Sequence, residues 1–219
     1  MAFYFNPSDP ALKERLSQLR ETPGYCIFVD IADSTALKDQ PIAEWAAFFH
    51  NTFVNAKCLL GRQLVPLKII EDCCMFYLPE TRLSEMEENA LSLFTSLCHL
   101  ADEPEAVYKE IKISATFCRH AFELTFVENT NDIYGKDIDL ASRLLKFADV
   151  REVVMNAAFV ERVRDIYSRM DGKDCYPEVG RIFGPWPQRI KGFKEQIHIY
   201  KVPPPHWHSF LTAGQGSRH

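Results

Sequence analysis

The chain has 219 residues, 47% of them hydrophobic, which is enough for one substantial core, and no repeat or low-complexity stretch divides it. Its net charge of −5, with acidic and basic residues interspersed, gives no electrostatic basis for binding nucleic acid or an anionic membrane. No apolar run approaches the roughly 20 residues that span a bilayer, and the N-terminus lacks the charged start of a signal peptide. We therefore expect a soluble, cytoplasmic protein.

The predicted elements alternate between helices and short strands. The first half contains a helix at 8–21, a strand at 25–31, a helix at 42–60, a hairpin of strands at 63–70 and 73–79, and a helix-favouring stretch at 79–99. Two strands follow at 109–120 and 122–128, joined by a short turn. The last part contains a helix at 137–147, a strand at 152–156, a helix at 158–170, and closing strands at 182–183 and 196–202. Helices interspersed with antiparallel hairpins predict an α+β sheet covered by helices.

Apolar side chains recur at helical spacing in the segment 42–60, and we expect them to face the core. They are Trp45, Phe48, Phe49, Phe53 and Val54. Four cysteines lie in apolar strand-like runs, namely Cys26, Cys73, Cys74 and Cys118, and the adjacent Cys73 and Cys74 would point to opposite faces of a strand. We therefore predict buried thiols rather than a metal or redox pair, and the spacing of the histidines is not typical of a zinc site.

Two acidic residues stand at the ends of apolar strands. Asp30 ends the run 25–29, and Asp72 separates the runs 67–70 and 73–77. A carboxylate at the mouth of a buried strand is costly to desolvate unless it is paired or holds a cation. The two together therefore indicate a metal site for a phosphorylated substrate. Taken singly, the alternatives are a helix N-cap for Asp30 and a turn residue for Asp72.

The turn after Asp30 ends in Ser34 and Thr35, which are residues that favour helix N-caps. Free backbone N–H groups and the helix dipole favour phosphate at such a position. The strand, the carboxylate and the turn together predict a nucleotide site, with Ser34 and Thr35 among the groups that bind the substrate.

The residues around both carboxylates resemble motifs of the class III nucleotide cyclases. The segment 28–35 is similar to the first metal motif of that family. The segment 68–72 is similar to its Lys-x-x-Gly-Asp hairpin, with Glu71 in place of Gly. Because Gly at such a turn usually supplies a positive φ or room for a ligand, Glu71 indicates a changed turn, a narrower pocket, or both.

Two later segments continue the resemblance in the same order. The segment 132–143 is similar to the family pattern Asp-x-x-Gly-x-x-Val-Asn-x-Ala-x-Arg, with Asp139 in place of Asn. The segment 190–193 and the strand after it are similar to the Leu-Lys-Gly-Phe turn and the last strand of the family. Each motif alone is weak, but four of them in family order span residues 25–201.

The resemblance implies an α+β fold with a ferredoxin-like βαββαβ core to which strands and helices are added. On this basis residues 23–202 form the nucleotide cyclase domain. Residues 1–22 form an N-terminal helical arm, either a lid over the core or a dimer arm. Residues 203–219 form a C-terminal tail whose last six residues resemble an expression remnant.

By resemblance the protein is a lyase that converts a nucleoside triphosphate to a 3′,5′-cyclic nucleotide and pyrophosphate. The family uses two divalent cations, Mn²⁺ or Mg²⁺, and the matching ligands here are Asp30, Asp72 and the backbone carbonyl of Ile31. Hard oxygen ligands from one or two carboxylates, completed by phosphates and water, are what these cations prefer.

Lys68 and Asp132 fall where the family recognises the base. Adenine and cytosine offer a ring nitrogen beside an amino group, while uracil offers a carbonyl beside an N–H, so this pair does not fix the base. The alternatives are a strand-end lysine with its charge in water for Lys68 and a turn residue for Asp132.

Asp139 and Arg143 are four residues apart and should share one helical face. By resemblance Arg143 stabilises charge on the phosphates, and Lys191 contacts the β- and γ-phosphates. Asp139 replaces the residue that touches the ribose, and three outcomes are open: it binds the ribose and orients Arg143, it is held protonated, or it impairs the site. We favour the first. Lys191 could instead be an ordinary loop lysine.

The family places its sites at a head-to-tail dimer interface, and this chain carries both halves, so a homodimer would suffice. The free-standing chain and its departures at Glu71 and Asp139 resemble the pyrimidine cyclases of bacterial anti-phage defence, which make cyclic UMP or cyclic CMP. The alternatives are an adenylate cyclase and a nucleotide-binding homologue without turnover. No nucleic-acid or membrane partner is expected.

Overall fold

The structure is a computed structural model that describes residues 19–59, 68–102, 111–127, 130–171 and 173–205, together with positions 10 and 14. Its strands are β1 Gly24–Ile31, β2 Lys68–Ile70, β3 Cys73–Pro79, β4 Ile111–Cys118, β5 Phe122–Val127, β6 Thr130–Tyr134, β7 Val153–Asn156, β8 Phe183–Gln188 and β9 Ile197–Val202. Its α-helices are α1 Ser34–Leu37, α2 Ile42–Leu59, α3 Glu80–Glu85, α4 Ala90–Asp102, α5 Lys136–Leu144 and α6 Ala157–Arg169.

Seven strands form one mixed sheet in the order β2-β3-β1-β4-β7-β9-β8. The β4–β7 pair is parallel, and the other pairs in this sheet are antiparallel. The strands β5 and β6 form a separate antiparallel hairpin. The α+β prediction is confirmed. None of the helices in the described part of the chain combines the length and apolar character needed to cross a membrane.

Period-two alternation gives the sheet two different faces. One face, which we call the helix-covered face, carries Ile27 and Val29 of β1 and packs against α2, α4 and α6 in the largest core cluster. The other, which we call the site face, carries Cys26, Phe28 and Asp30 of β1, and its core cluster is completed by residues of β6 and α5. One strand therefore contributes to both a dry core and a carboxylate-bearing surface.

Two buried hydroxyl groups hold α5 on the site face. Ser114 and Thr116 of β4 donate to the backbone carbonyls of Ala141 (2.7 Å) and Asp137 (3.0 Å) of that helix. Just before α5, a Cβ at Gly135 would lie 2.5 Å from the carbonyl oxygen of His120. Only glycine permits this close approach, which fixes the point where β6 passes into α5.

Among the described residues, the structure differs from the predicted elements in three places. The segment 122–128 pairs with β6 rather than with 109–120, and β6 itself was not predicted because its polar residues are typical of a turn. The helical stretch 79–99 is interrupted at 86–89, where the Asn89 side chain accepts from two N–H groups of the first turn of α4. The strand at 182–183 extends to Gln188 despite two prolines, because β8 lies at the sheet edge.

Most of the apolar residues predicted to face the core from α2 do so. Phe48 and Phe53 are buried, and Phe49 packs against them. Val54 is 42% exposed, so its prediction was wrong. The predicted helix 8–21 and strand 63–70, like the tail 203–219, lie largely outside the described residues.

Candidate active site

The strand register brings the two predicted metal-ligating aspartates together. Asp30 of β1 is opposite Cys73 of β3, and the Ile31 N–H donates to the Asp72 backbone carbonyl at 3.2 Å. Asp30 is half-buried, and burial, followed by the nearby charge of Asp72, raises its pKa to about 6. Lys112 of β4 is opposite Asp30, and its positive charge lowers the Asp30 pKa, which partly offsets these two effects. Two carboxylates thus share a partly desolvated site that disfavours two negative charges.

Ser34 supports this carboxylate pair directly. Its hydroxyl is buried and donates to Oδ2 of Asp72, across 38 residues of sequence. The backbone of Asp33 bends there into the left-handed region, with φ at 52°. The Ser34 hydroxyl is therefore engaged with Asp72, whereas Thr35 is exposed. Phosphate binding by these two residues stays a prediction.

The donor set fits a magnesium or manganese ion that completes its shell with substrate oxygens. Among the residues that the structure describes, no group of three or more His, Cys, Asp or Glu side chains could hold a metal. The protein would supply two carboxylates and the Ile31 carbonyl, which matches a hard cation bound through one or two carboxylates plus phosphates and water. A cation would also relieve the repulsion that raises the Asp30 pKa.

A cavity of about 230 Å³ opens on the site face between β2, β6 and α5. Its lining includes one lysine, one aspartate, one serine and several apolar groups: Phe28, Lys68, Ile70, Met75, Ile133, Tyr134, Gly135, Ile138, Asp139 and Ser142. The strand register explains part of this set, because Lys68 is opposite Met75, which is opposite Phe28. Asp30 and Asp72 do not line this cavity.

Lys68 and Asp132, the residues predicted to recognise a base, form an ion pair beside this cavity. Asp132 lies in β6 and is 8% exposed, so the alternative of a solvated turn residue is wrong. Burial would raise its pKa, but hydrogen bonds from Lys68, Tyr134 and the Ile133 N–H lower the pKa below its ordinary value. The carboxylate is therefore charged at neutral pH.

Tyr134 is a cavity residue that the sequence analysis missed. It is two residues after Asp132 in β6, and its ring lies 5.9 Å from the Lys68 ammonium. The signal was available, since residues at i and i+2 of a strand lie on the same face. It was hidden because 129–132 has the composition of a turn.

Glu71 has the positive φ that Gly usually provides, with φ at 56°. Its side chain is exposed and is absent from the cavity lining. Within one protomer the expectation that Glu71 narrows the pocket is therefore wrong. The hairpin turn keeps a backbone conformation that costs a non-glycine residue about 1–2 kcal/mol.

The α5 residues divide between the cavity and a neighbouring turn. Asp139 lines the cavity, whereas Arg143 donates from Nη1 to the backbone carbonyl of Lys191 at 2.6 Å. A Cβ at Gly192 would lie 3.7–3.8 Å from the Arg143 guanidinium, so the turn packs closely beside that group. No ion pair joins Asp139 to Arg143 among the described residues. In this structure a backbone carbonyl holds the guanidinium, and the expectation that Asp139 orients Arg143 stays a prediction.

Comparison with known proteins gives a likeness in structure but not in sequence. No known family profile matches the chain, and no curated protein matches it. The adenylyl cyclase CyaB from P. aeruginosa superposes with a TM-score of 0.67 at 14% identity, over 84% of this chain and 95% of that one.

Two guanylyl cyclase structures give similar values. The catalytic core of a rhodopsin-guanylyl cyclase with converted specificity, in complex with ATPαS, has a TM-score of 0.62 at 13% identity, over 85% of this chain and 98% of that one. The guanylate cyclase domain of RhGC from Catenaria anguillulae, in complex with GTP, has a TM-score of 0.59 at 13% identity, over 84% of this chain and 98% of that one. The chain therefore has the α+β fold of adenylyl and guanylyl cyclase catalytic domains.

Proposed function

We propose that this protein is a metal-dependent nucleotide cyclase, a lyase that converts a nucleoside triphosphate to a 3′,5′-cyclic monophosphate and pyrophosphate. The observation that carries the proposal is the Lys68–Asp132 ion pair beside a cavity on the site face. A partly desolvated carboxylate pair at the ends of two strands of the same sheet supports it. So does the fold, which adenylyl and guanylyl cyclases share.

In this reaction the ribose 3′-oxygen attacks the α-phosphorus while the bond from that phosphorus to the α,β-bridging oxygen breaks. The 3′-hydroxyl proton leaves to solvent, and pyrophosphate carries away the bond's electron pair. Two divalent cations, Mn²⁺ or Mg²⁺, bound by Asp30, Asp72 and the Ile31 carbonyl, would polarise the phosphates and favour the alkoxide. Arg143, preoriented by the Lys191 carbonyl, would stabilise the charge that develops on the phosphates.

At the base end the chemistry of the two side chains sets the requirement. The Lys68 ammonium can only donate, and the charged Asp132 carboxylate can only accept. The base must therefore present an acceptor next to a donor. Asp139 lines the same cavity and would accept from a ribose hydroxyl, while Lys191 would contact the β- and γ-phosphates.

Within this class we propose UTP or CTP as the substrate, giving cyclic UMP or cyclic CMP as a second messenger in anti-phage defence. The resemblance to free-standing pyrimidine cyclases suggests this choice. The cavity of about 230 Å³ is the space that one protomer would offer the base. A pyrimidine ring requires less of that space than a purine.

We also propose a head-to-tail homodimer with one site at each end of the interface. The support is the separation of the two halves, since the cavity that Lys68 lines beside Asp132 is not lined by Asp30 or Asp72. A second copy would bring its carboxylate pair to this cavity, and two-fold symmetry would make both sites equivalent.

The direct test incubates the purified protein with Mn²⁺ and each of the four common NTPs, and separates products by chromatography and mass spectrometry. A cyclic pyrimidine nucleotide is expected. A cyclic purine product would replace the substrate proposal but keep the cyclase proposal. Nucleotide binding without any cyclic product would identify a homologue without turnover.

The dimer is tested by mixing an Asp72→Ala chain with an Arg143→Ala chain. Each variant alone should lose most of its activity, and the heterodimer should recover one intact site. Absence of recovery despite subunit exchange, followed by native mass spectrometry, would contradict the shared site.

A further inference from the structure

Among the residues that the structure describes, Ser34 alone donates a side-chain hydrogen bond to one of the two proposed metal-ligating carboxylates. Its hydroxyl donates to Oδ2 of Asp72, and the residue is only 6% exposed, so water competes little for this contact. Ser34 begins α1, and the left-handed backbone of Asp33 turns the chain just before it. The hydroxyl is therefore a buried part of the turn that follows β1.

A backbone hydrogen bond joins the same two segments. The Ile31 N–H, directly after Asp30, donates to the Asp72 backbone carbonyl at 3.2 Å. Asp72 is thus held at its main chain by the end of β1 and at its side chain by the turn after β1. The first bond fixes the position of the residue, and the second limits the rotation of its carboxylate.

The Ser34 contact uses one oxygen of Asp72 and leaves the other. Within the described part of the chain, no hydrogen bond or ion pair reaches Oδ1 of Asp72 or either carboxylate oxygen of Asp30. A serine hydroxyl carries one hydrogen, so it cannot donate to Asp72 and to a substrate phosphate at the same time. Holding a carboxylate and contacting a phosphate are therefore alternative roles for this hydroxyl.

We infer that Ser34 is a positioning residue for the proposed cation site, whose hydroxyl fixes Oδ2 of Asp72 and leaves Oδ1, with the Asp30 carboxylate, to bind a divalent cation before any nucleotide enters. This inference rests on the proposed function, from which it takes the metal ligands. Groups that hydrogen-bond to a ligating carboxylate hold it in place, and their loss commonly weakens metal binding about 10- to 100-fold. Without the hydroxyl the Asp72 carboxylate would rotate more freely.

The test measures Mn²⁺ binding to the nucleotide-free protein by electron paramagnetic resonance, in which free Mn²⁺ gives a sharp signal that binding removes. In Ser34→Ala the dissociation constant of Mn²⁺ should rise about 10- to 100-fold. Because no phosphate is present, this loss cannot come from a missing phosphate contact. Ser84→Ala is the matched control and should leave the constant unchanged. It removes a serine hydroxyl from α3, which follows the end of β3 remote from Asp72.

The outcomes separate the inference from the proposed function. Wild-type Mn²⁺ affinity in Ser34→Ala would overturn the inference and leave the proposed function standing. A wild-type protein that binds Mn²⁺ only together with a nucleotide would do the same, because the inference requires a site that is ready without substrate. A wild-type protein that binds no Mn²⁺ under either condition would overturn both.

A second measurement tests the hydrogen bond without any metal. Urea denaturation in EDTA gives the shift in the unfolding midpoint for Ser34→Ala, Asp72→Ala and the double variant. Ser34→Ala leaves the Oδ2 acceptor without its donor, whereas the double variant removes both partners. The midpoint of the double variant should therefore be higher than the sum of the two single shifts predicts. Additive shifts would show that the two side chains do not interact, and would overturn the inference.

Discussion

The two faces of the sheet are built from the same strands but meet opposite requirements. On the helix-covered face, Ile27 and Val29 pack beneath three helices with aromatic and aliphatic partners. On the site face, the alternate residue Phe28 packs with residues of one helix and a hairpin strand, which leave a cavity of about 230 Å³. The largest core cluster therefore lies on one side of the sheet, and the cavity of the candidate site lies on the other.

The difference shows how a strand can tolerate a carboxylate at its end. Burial raises the Asp30 pKa, which means that the metal-free fold is less favourable with this group charged. The dry face opposite supplies the stability that offsets this cost. A ligand that supplies positive charge would bind where the fold is least satisfied, which is a common property of functional sites.

The largest expected effect is the loss of activity when one carboxylate of the site face is removed. Asp30→Ala or Asp72→Ala should reduce cyclic-nucleotide formation by about 10³-fold or more, because a bound cation supplies several kcal/mol of transition-state stabilisation. In Asp30→Ala the midpoint of thermal unfolding without metal should not fall, because no hydrogen bond to a buried group is lost. Asp171→Ala, at an exposed position, is the matched control. Wild-type turnover in either site variant would remove the metal assignment.

A substitution in the core of the helix-covered face should instead lower stability. Phe94 is completely buried in α4, and Phe94→Ala should lower the free energy of unfolding by about 3–5 kcal/mol. Phe28→Ala on the site face should cost less than half of that, because Phe28 already borders a cavity. Urea denaturation followed by circular dichroism measures both values. Equal losses would mean that the two faces do not differ in packing.

Within the proposed site, Arg143 and Asp139 should affect different kinetic constants. Arg143→Ala should lower kcat by about 10²-fold, the effect of losing one preorganised donor to developing charge. Asp139→Ala should mainly raise KM several-fold, because Arg143 is held by the Lys191 carbonyl rather than by Asp139. Steady-state kinetics on the preferred NTP distinguishes the two. A large kcat loss in Asp139→Ala would restore the alignment role that the structure does not support.

The pH dependence of stability should identify the Asp30 carboxyl. The folded state holds its proton up to about pH 6, whereas the unfolded chain releases it near 3.8, so the folded state binds more protons between these values. The free energy of unfolding should therefore fall as pH rises from 4 to 6. Asp30→Asn in EDTA should remove this loss and stabilise the fold at pH 7, by about 1 kcal/mol after allowance for solvent screening. If the free energy of unfolding fell more steeply with pH in Asp30→Asn than in the wild type, the Asp30 pKa would not be raised by folding.

The smallest effect concerns the hairpin turn. Glu71→Gly should change the free energy of unfolding by less than about 1 kcal/mol, because relief of the positive φ is partly offset by the greater freedom of glycine in the unfolded chain. Base preference should not change, since Glu71 does not line the cavity. Competition between two NTPs measures this directly. A relaxed preference would mean that Glu71 acts on the site of a partner chain.

Much of the architecture and part of the site could be predicted from sequence because both depend on local patterns. The continuous apolar run 25–29 predicted a buried strand, and the acidic residues beside two apolar runs were Asp30 and Asp72. The α5 helix followed from its strong amphipathic pattern. The β6 strand escaped prediction because its polar residues favour turns, and only pairing with β5 makes it a strand.

The sequence by itself determined which residue types stand at strand ends and on which face each one lies, because these follow from backbone geometry over a few residues. Only the tertiary structure decided their partners. Ser34 donates to Asp72 across 38 residues, Lys68 meets Asp132 across 64, and Arg143 meets the Lys191 carbonyl across 48. Contacts at such separations depend on strand register and helix packing, which no local pattern of residues encodes.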